Sequence, residues 1–95
     1  MRTDWVEVIG DENNLRILME LDYGNPLTLY SLSRKIGAYP RTTRRRLEIL
    51  MKSGVVERET LGGVQTYRLR PAALPDEVKS LLMWLKAQTP EITSL

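Results

Sequence analysis

Leu32-Ser33-Arg34-Lys35-Ile36-Gly37-Ala38-Tyr39-Pro40-Arg41-Thr42-Thr43-Arg44-Arg45-Arg46-Leu47 is the stretch of this 95-residue chain on which the fold turns. Its first part closes a short helix that starts after Thr28, a good N-cap residue, and runs to about Ile36 with Leu29, Leu32 and Ile36 as its buried stripe. Gly37 follows the last apolar residue directly, where a left-handed C′ position is needed. Only Ala38 and Tyr39 then precede Pro40, and proline suits the first helical position because its missing N–H would have no partner there. The helix it opens carries Thr43, Leu47, Leu50 and Met51 at i, i+4, i+7 and i+8 and stops at Ser53-Gly54. Two short helices joined by so tight a glycine turn read as a helix-turn-helix.

Upstream, a helix is expected from about Asp11, its N-cap, to Asp22. Leu15, Leu18 and Met19 lie on one face, Ile17 and Leu21 form a second strip, and Tyr23-Gly24-Asn25-Pro26 stops the helix. Downstream, Val55–Thr60 and Val64–Leu69 read as strands around a Gly62-Gly63 turn. Pro71 and Pro75 bracket a short connection to a last helix, about Asp76 to Lys86. The order is helix, helix, helix, hairpin, helix: a mainly α fold with a small β-hairpin (α+β). One domain is expected over residues 1–95, with a core at 11–70 and a tail at 88–95.

A composition of 42% apolar and 27% charged residues is that of a folded domain rather than a disordered chain. The chain has no cysteine and no histidine. It therefore has no disulfide or thiolate metal site, and it lacks the usual general base and zinc ligand. No nucleophile motif or phosphate-binding glycine loop is present. The expectation is a protein that is not an enzyme, has no catalytic residues and takes no cofactor or metal. With no run long enough for a membrane span, and with Asp4 and Glu7 near the N-terminus, it is expected to be cytoplasmic and without a membrane partner.

The net charge of +2 hides an asymmetry. Residues 23–47 hold Arg34, Lys35, Arg41, Arg44, Arg45 and Arg46 and no acid, so the other 70 residues carry four net negative charges. One basic block on an acidic body steers that block towards a polyanion.

The runs Asn14-Leu15-Arg16-Ile17-Leu18, Leu32–Gly37, Thr42–Leu47, Ser53-Gly54-Val55-Val56-Glu57-Arg58 and Tyr67-Arg68-Leu69 together resemble the winged helix-turn-helix transcriptional regulators, most closely the ArsR-like branch, over roughly residues 11–70. The resemblance implies that the third helix lies in the DNA major groove, that the hairpin wing touches the backbone or minor groove, and that the terminal helices build a dimer. The family's metal sensors use cysteines, or histidines with carboxylates, so metal sensing does not carry over to this chain. The segment Leu61-Gly62-Gly63-Val64-Gln65-Thr66 also departs from the pattern, since no Lys or Arg stands at the wing tip.

On the third helix Arg41, Arg45 and Glu48 lie opposite the apolar side, and Arg41 and Arg45 are adjacent at i, i+4. Arg41, Thr42 and Arg45 are the candidate base readers, since arginine can donate two parallel hydrogen bonds to guanine O6 and N7. Arg44 and Arg46 flank them towards the phosphates. Arg34 and Lys35 at the end of the second helix, with Tyr30 and Ser31 in its first turn, are further phosphate candidates. Tyr39 either contacts phosphate or packs at the turn. On the wing the candidates are Gln65, Thr66 and Arg68; Arg58, Arg68 and Arg70 either reach phosphate or pair with Glu57 and Glu59.

The last helix presents Leu74, Val78, Leu81, Leu82 and Leu85, joined by Met83 and Trp84, over most of its circumference. Packing against its own copy, together with Trp5, Val6, Val8 and Ile9, would cover a patch too large to leave wet. Residues 1–10 and 74–87 are therefore the expected dimerisation segments, the alternative being a helix folded back on its own domain. The functional expectation is sequence-specific binding of double-stranded DNA by a homodimeric transcriptional regulator, a repressor. The competing one is a winged-helix interaction module, or a subunit of a larger nucleic-acid assembly with little sequence preference.

Overall fold

In the computed structural model, which describes residues 3–88, the chain runs α1 (Trp5–Ile9), α2 (Glu12–Leu21), α3 (Leu29–Ile36), α4 (Pro40–Lys52), β1 (Val56–Leu61), β2 (Val64–Leu69), a 3-10 turn (Pro71–Ala73) and α5 (Asp76–Gln88). The helix starts follow the expected chemistry. The Asp11 carboxylate accepts the Asn14 amide at 3.0 Å, and the Thr28 hydroxyl accepts the Ser31 amide at 3.2 Å. Gly37 ends α3 at φ +72°. A Cβ added there would meet no atom within 4 Å. Gly37→Ala is therefore expected to cost only the left-handed backbone strain, about 1–2 kcal/mol. Urea denaturation should show this as a lower midpoint at unchanged m-value.

Between Leu61 and Val64 the chain reverses in two residues, Gly62 (φ +57°) and Gly63 (φ +83°). Two positive φ values are what a type I′ hairpin turn needs, and its twist matches that of the strands. The turn fixes the antiparallel register at Glu57↔Arg68, Arg58↔Tyr67 and Glu59↔Thr66. Leu27, just before α3, exchanges two backbone hydrogen bonds with Tyr67 (3.0 and 2.8 Å), which holds the base of the hairpin to the helices.

The core is centred on α2, which packs against α1, α3, α4, α5 and β2. Its deep strip is Ile17, Leu18 and Leu21, while Leu15 and Met19 are half-buried. Leu32 from α3, Leu47 and Leu50 from α4, Val55, Val56, Tyr67 and Leu69 from the hairpin region, and Leu82 from α5 complete it.

Two expectations are corrected at the chain ends. The segment before Asp11 is a helix, capped by the Asp4 carboxylate on the Glu7 amide (3.2 Å). Five residues are too few for helical periodicity to be legible. Its Val8 is fully buried, and Trp5 and Ile9 pack on the same core. The last helix, for its part, is folded onto its own chain along one face. Val78 and Leu82, expected at a subunit interface, are buried in the protomer core, with Leu82 at 0% exposure. The cover is α2, and Lys86 fastens the two helices, its Nζ 2.6 Å from Asp22 Oδ2 and 4.7 Å from the Tyr23 ring centroid. Leu81 and Leu85 are half-buried. Of the expected interface residues, Val6 on α1 (81%) stays exposed, as does Trp84 (60%), which with Met83 lies on the other side of α5. Of the expected tail, residues 89–95 lie outside the described residues.

Candidate nucleic-acid interface

α4 has one face packed in the core and the other open. Thr43, Leu47 and Leu50 are buried, and the Thr43 hydroxyl donates to the Tyr39 carbonyl at 3.1 Å. At 100° per residue the opposite line runs through Arg41, Arg45, Glu48 and Lys52, and all four are exposed. Thr42 is half-buried on one flank, and Arg44 is exposed on the other, towards the hairpin.

The second part of the surface comes from α3 and the turn. Leu29, Leu32 and Ile36 are buried, and the Ser33 hydroxyl donates to the Leu29 carbonyl at 2.9 Å. That leaves Tyr30, Arg34 and Lys35 exposed and Ser31 half-buried. Tyr30, Ser31, Arg34 and Tyr39 line one open groove that runs from the start of α3 to the start of α4. Packing at the turn, one of the two roles expected for Tyr39, is excluded: its side chain is 82% exposed, because only its backbone serves the cap of α4.

Among the described residues Arg34, Lys35, Arg41, Arg44 and Arg45 make no ion pair. The basic block of the sequence thus emerges as one set of free guanidinium and ammonium groups on the outer side of the two helices.

Two expected phosphate residues are placed elsewhere. Arg46 is half-buried and turned back to Asp11, with Nη1 to Oδ2 at 3.3 Å, tying α4 to the cap of α2. It sits about 100° further round the helix than Arg45, on the side that meets the protein. Arg68 faces away from α4: its Nε lies 2.8 Å from Glu57 Oε2 and 3.8 Å from Glu59 Oε1. The Glu57 hydrogen bond, and then the nearby Glu59 charge, raise its pKa above the ordinary arginine value. Arg68 thus stays charged, with two carboxylates beside it. Thr66 shares that face, its hydroxyl donating to the Glu59 carbonyl at 3.5 Å, while Gln65 is exposed on the α4 side.

That side of the hairpin borders a cleft of about 530 Å³ between the wing and the two helices, floored by Met51 and Tyr67 and carrying Arg44 and Arg58. Sequence reasoning left Arg58 undecided between an acid partner and phosphate. The two-glycine turn holds the missing signal: it sets Leu61 opposite Val64, and alternation then places Arg58 with Tyr67 and Arg68 with the acids.

Among the described residues no three acidic side chains gather where an ion could be held, and no helix is long and apolar enough to cross a membrane.

No protein-family model matches the chain, and no curated protein sequence does. Solved structures do match. A homodimeric winged helix-turn-helix DNA-binding domain from Mycobacterium bovis, described as a possible ArsR-family transcriptional regulator, is 23% identical at a TM-score of 0.65, covering 86% of this chain and 71% of that one. The transcriptional repressor BigR from Xylella fastidiosa is 21% identical at 0.70, with 92% and 84% covered. HlyU from Vibrio cholerae is 23% identical at 0.69, with 88% and 86% covered. The chain has the winged helix-turn-helix fold, with a further helix at its C-terminal end.

Proposed function

We propose that the protein is a homodimeric transcriptional regulator, a repressor of the ArsR-like kind, which binds double-stranded DNA sequence-specifically with α4 in the major groove. It acts in the cytoplasm by binding alone, without catalysis, cofactor or metal. The observation that carries this reading is the unpaired set Arg34, Lys35, Arg41, Arg44 and Arg45 on the outer side of α3 and α4. A helix fits the major groove, and its first turns meet base edges. On α4 those turns hold Arg41, Thr42 and Arg45. Arg34, Lys35, Arg44, Tyr30, Ser31 and Tyr39 surround them where the backbone strands run, and contacts of that kind set register rather than sequence.

The dimer is supported by the outer side of α5. Met83 and Trp84 stand exposed there while the other side is closed on α2, and Val6 is exposed on α1. A second copy covering these side chains would build a two-fold pair, and the Mycobacterium bovis domain is described as homodimeric.

Selection from a randomised duplex pool tests the reading. A regulator should enrich a pseudo-palindrome with half-sites about 10–10.5 base pairs apart, bound at least about a thousandfold more tightly than random DNA. Enrichment of nothing, with weak and uniform binding, would replace it by an interaction module with little sequence preference.

A further inference from the structure

We propose that the wing grips DNA through Arg58, which with Arg44 and the hydroxyls of Thr28 and Tyr30 forms a seat for one backbone phosphate in the cleft between the hairpin and α4. This rests on the DNA reading above and assigns the wing's part in it.

The strands hold two cations, Arg58 and Arg68. Arg68 points away from α4 and is held by Glu57 and Glu59. The tip, Leu61-Gly62-Gly63-Val64, has no cation, and Leu61 and Val64 present apolar surface there. Arg58 remains. It is exposed, makes no ion pair among the described residues, and opposes Tyr67 on the face of the hairpin that looks towards α4.

The cleft it borders is also lined by Arg44, Glu48, Thr28, Tyr30 and Gln65. Two guanidinium groups against the single carboxylate of Glu48 leave one net positive charge, which one phosphodiester neutralises. Guanidinium presents a planar fork of donors that matches phosphate oxygens, and hydroxyl groups add further donors. Arg44 belongs to α4 and Arg58 to the wing. A phosphate between them would fix the angle at which the wing meets the strand while Arg41 and Arg45 read bases from the adjoining face of the helix.

The experiment is fluorescence anisotropy with a random-sequence duplex, titrated between roughly 50 and 200 mM salt, for wild type and Arg58→Ala, Arg58→Gln, Arg68→Ala and Glu48→Gln. Both Arg58 variants are expected to flatten the log–log salt slope by about 0.9, one phosphate's share, and Arg68→Ala to leave it unchanged. Glu48→Gln, which removes the acid from the seat, is expected to bind more tightly. Thermal melts confirm that each variant is folded, and the glutamine variant gives a second reading at position 58. A wild-type slope in both Arg58 variants, or equal flattening by Arg68→Ala, overturns the seat while leaving DNA binding standing. A wild type that binds no duplex at low salt overturns the DNA reading itself, and the seat with it.

Discussion

Arg41→Ala/Arg45→Ala is expected to lose between about thirtyfold and twenty-thousandfold in affinity for the selected site, because each bidentate arginine–guanine pair is worth about 1–3 kcal/mol of discrimination. The loss should be much smaller on random duplex, where these side chains act only as charges. Binding to both duplexes, measured side by side, separates the two effects. The paired Lys/Lys variant sharpens the comparison: it keeps the charge but lacks the planar fork, so it should hold random DNA and lose the selected site. Both arginines are exposed and clear of the core, so the melting temperature should hardly move. An alanine variant that still prefers the selected site by the wild-type margin would remove α4 as the reading element.

The second large effect lies in the core. Leu82→Ala is expected to cost about 2–5 kcal/mol, a large share of the roughly 5–15 kcal/mol that holds a domain folded. In a chain of this length that should lower the melting temperature by at least about 10 °C. Trp84→Ala, two residues further along α5, is the informative contrast. Its side chain is exposed on the protomer, so its truncation should leave the protomer core intact and change how the melt depends on protein concentration. Calorimetry at two or more concentrations distinguishes them. A Leu82→Ala protein that melts like wild type would mean that α5 is not seated on α2.

These cases show what was legible in the residues. The helix-turn-helix was, because each boundary carries its own chemistry: a Thr28 cap, Gly37 at positive φ, and Pro40 at the first helical position. The hairpin was legible from its two glycines. Direction was harder to read. Nothing local says that Arg46 turns back to the protein, since that depends on Asp11, an acid brought close only by the fold. The ends were hardest. α5 is apolar nearly all round, so periodicity could not say which side meets its own chain, and the expectation of a subunit interface at Val78 and Leu82 overlooked α2 as their cover. The fold required a choice between those two faces, and Val78 and Leu82 went inward.

The fastening of α5 by Lys86 has a consequence for operator geometry. Its ammonium group holds both the Asp22 carboxylate and the Tyr23 ring at the corner where α2 leads towards α3, so the C-terminal helix and the entry to the helix-turn-helix form one stiff piece. In the proposed dimer the distance between the two reading helices is then a fixed length and not the reach of a tether. One base pair inserted between half-sites would turn one of them by about 34–36° and carry it off the facing side of the duplex. A stiff pair of this kind measures the interval between half-sites as well as their sequence.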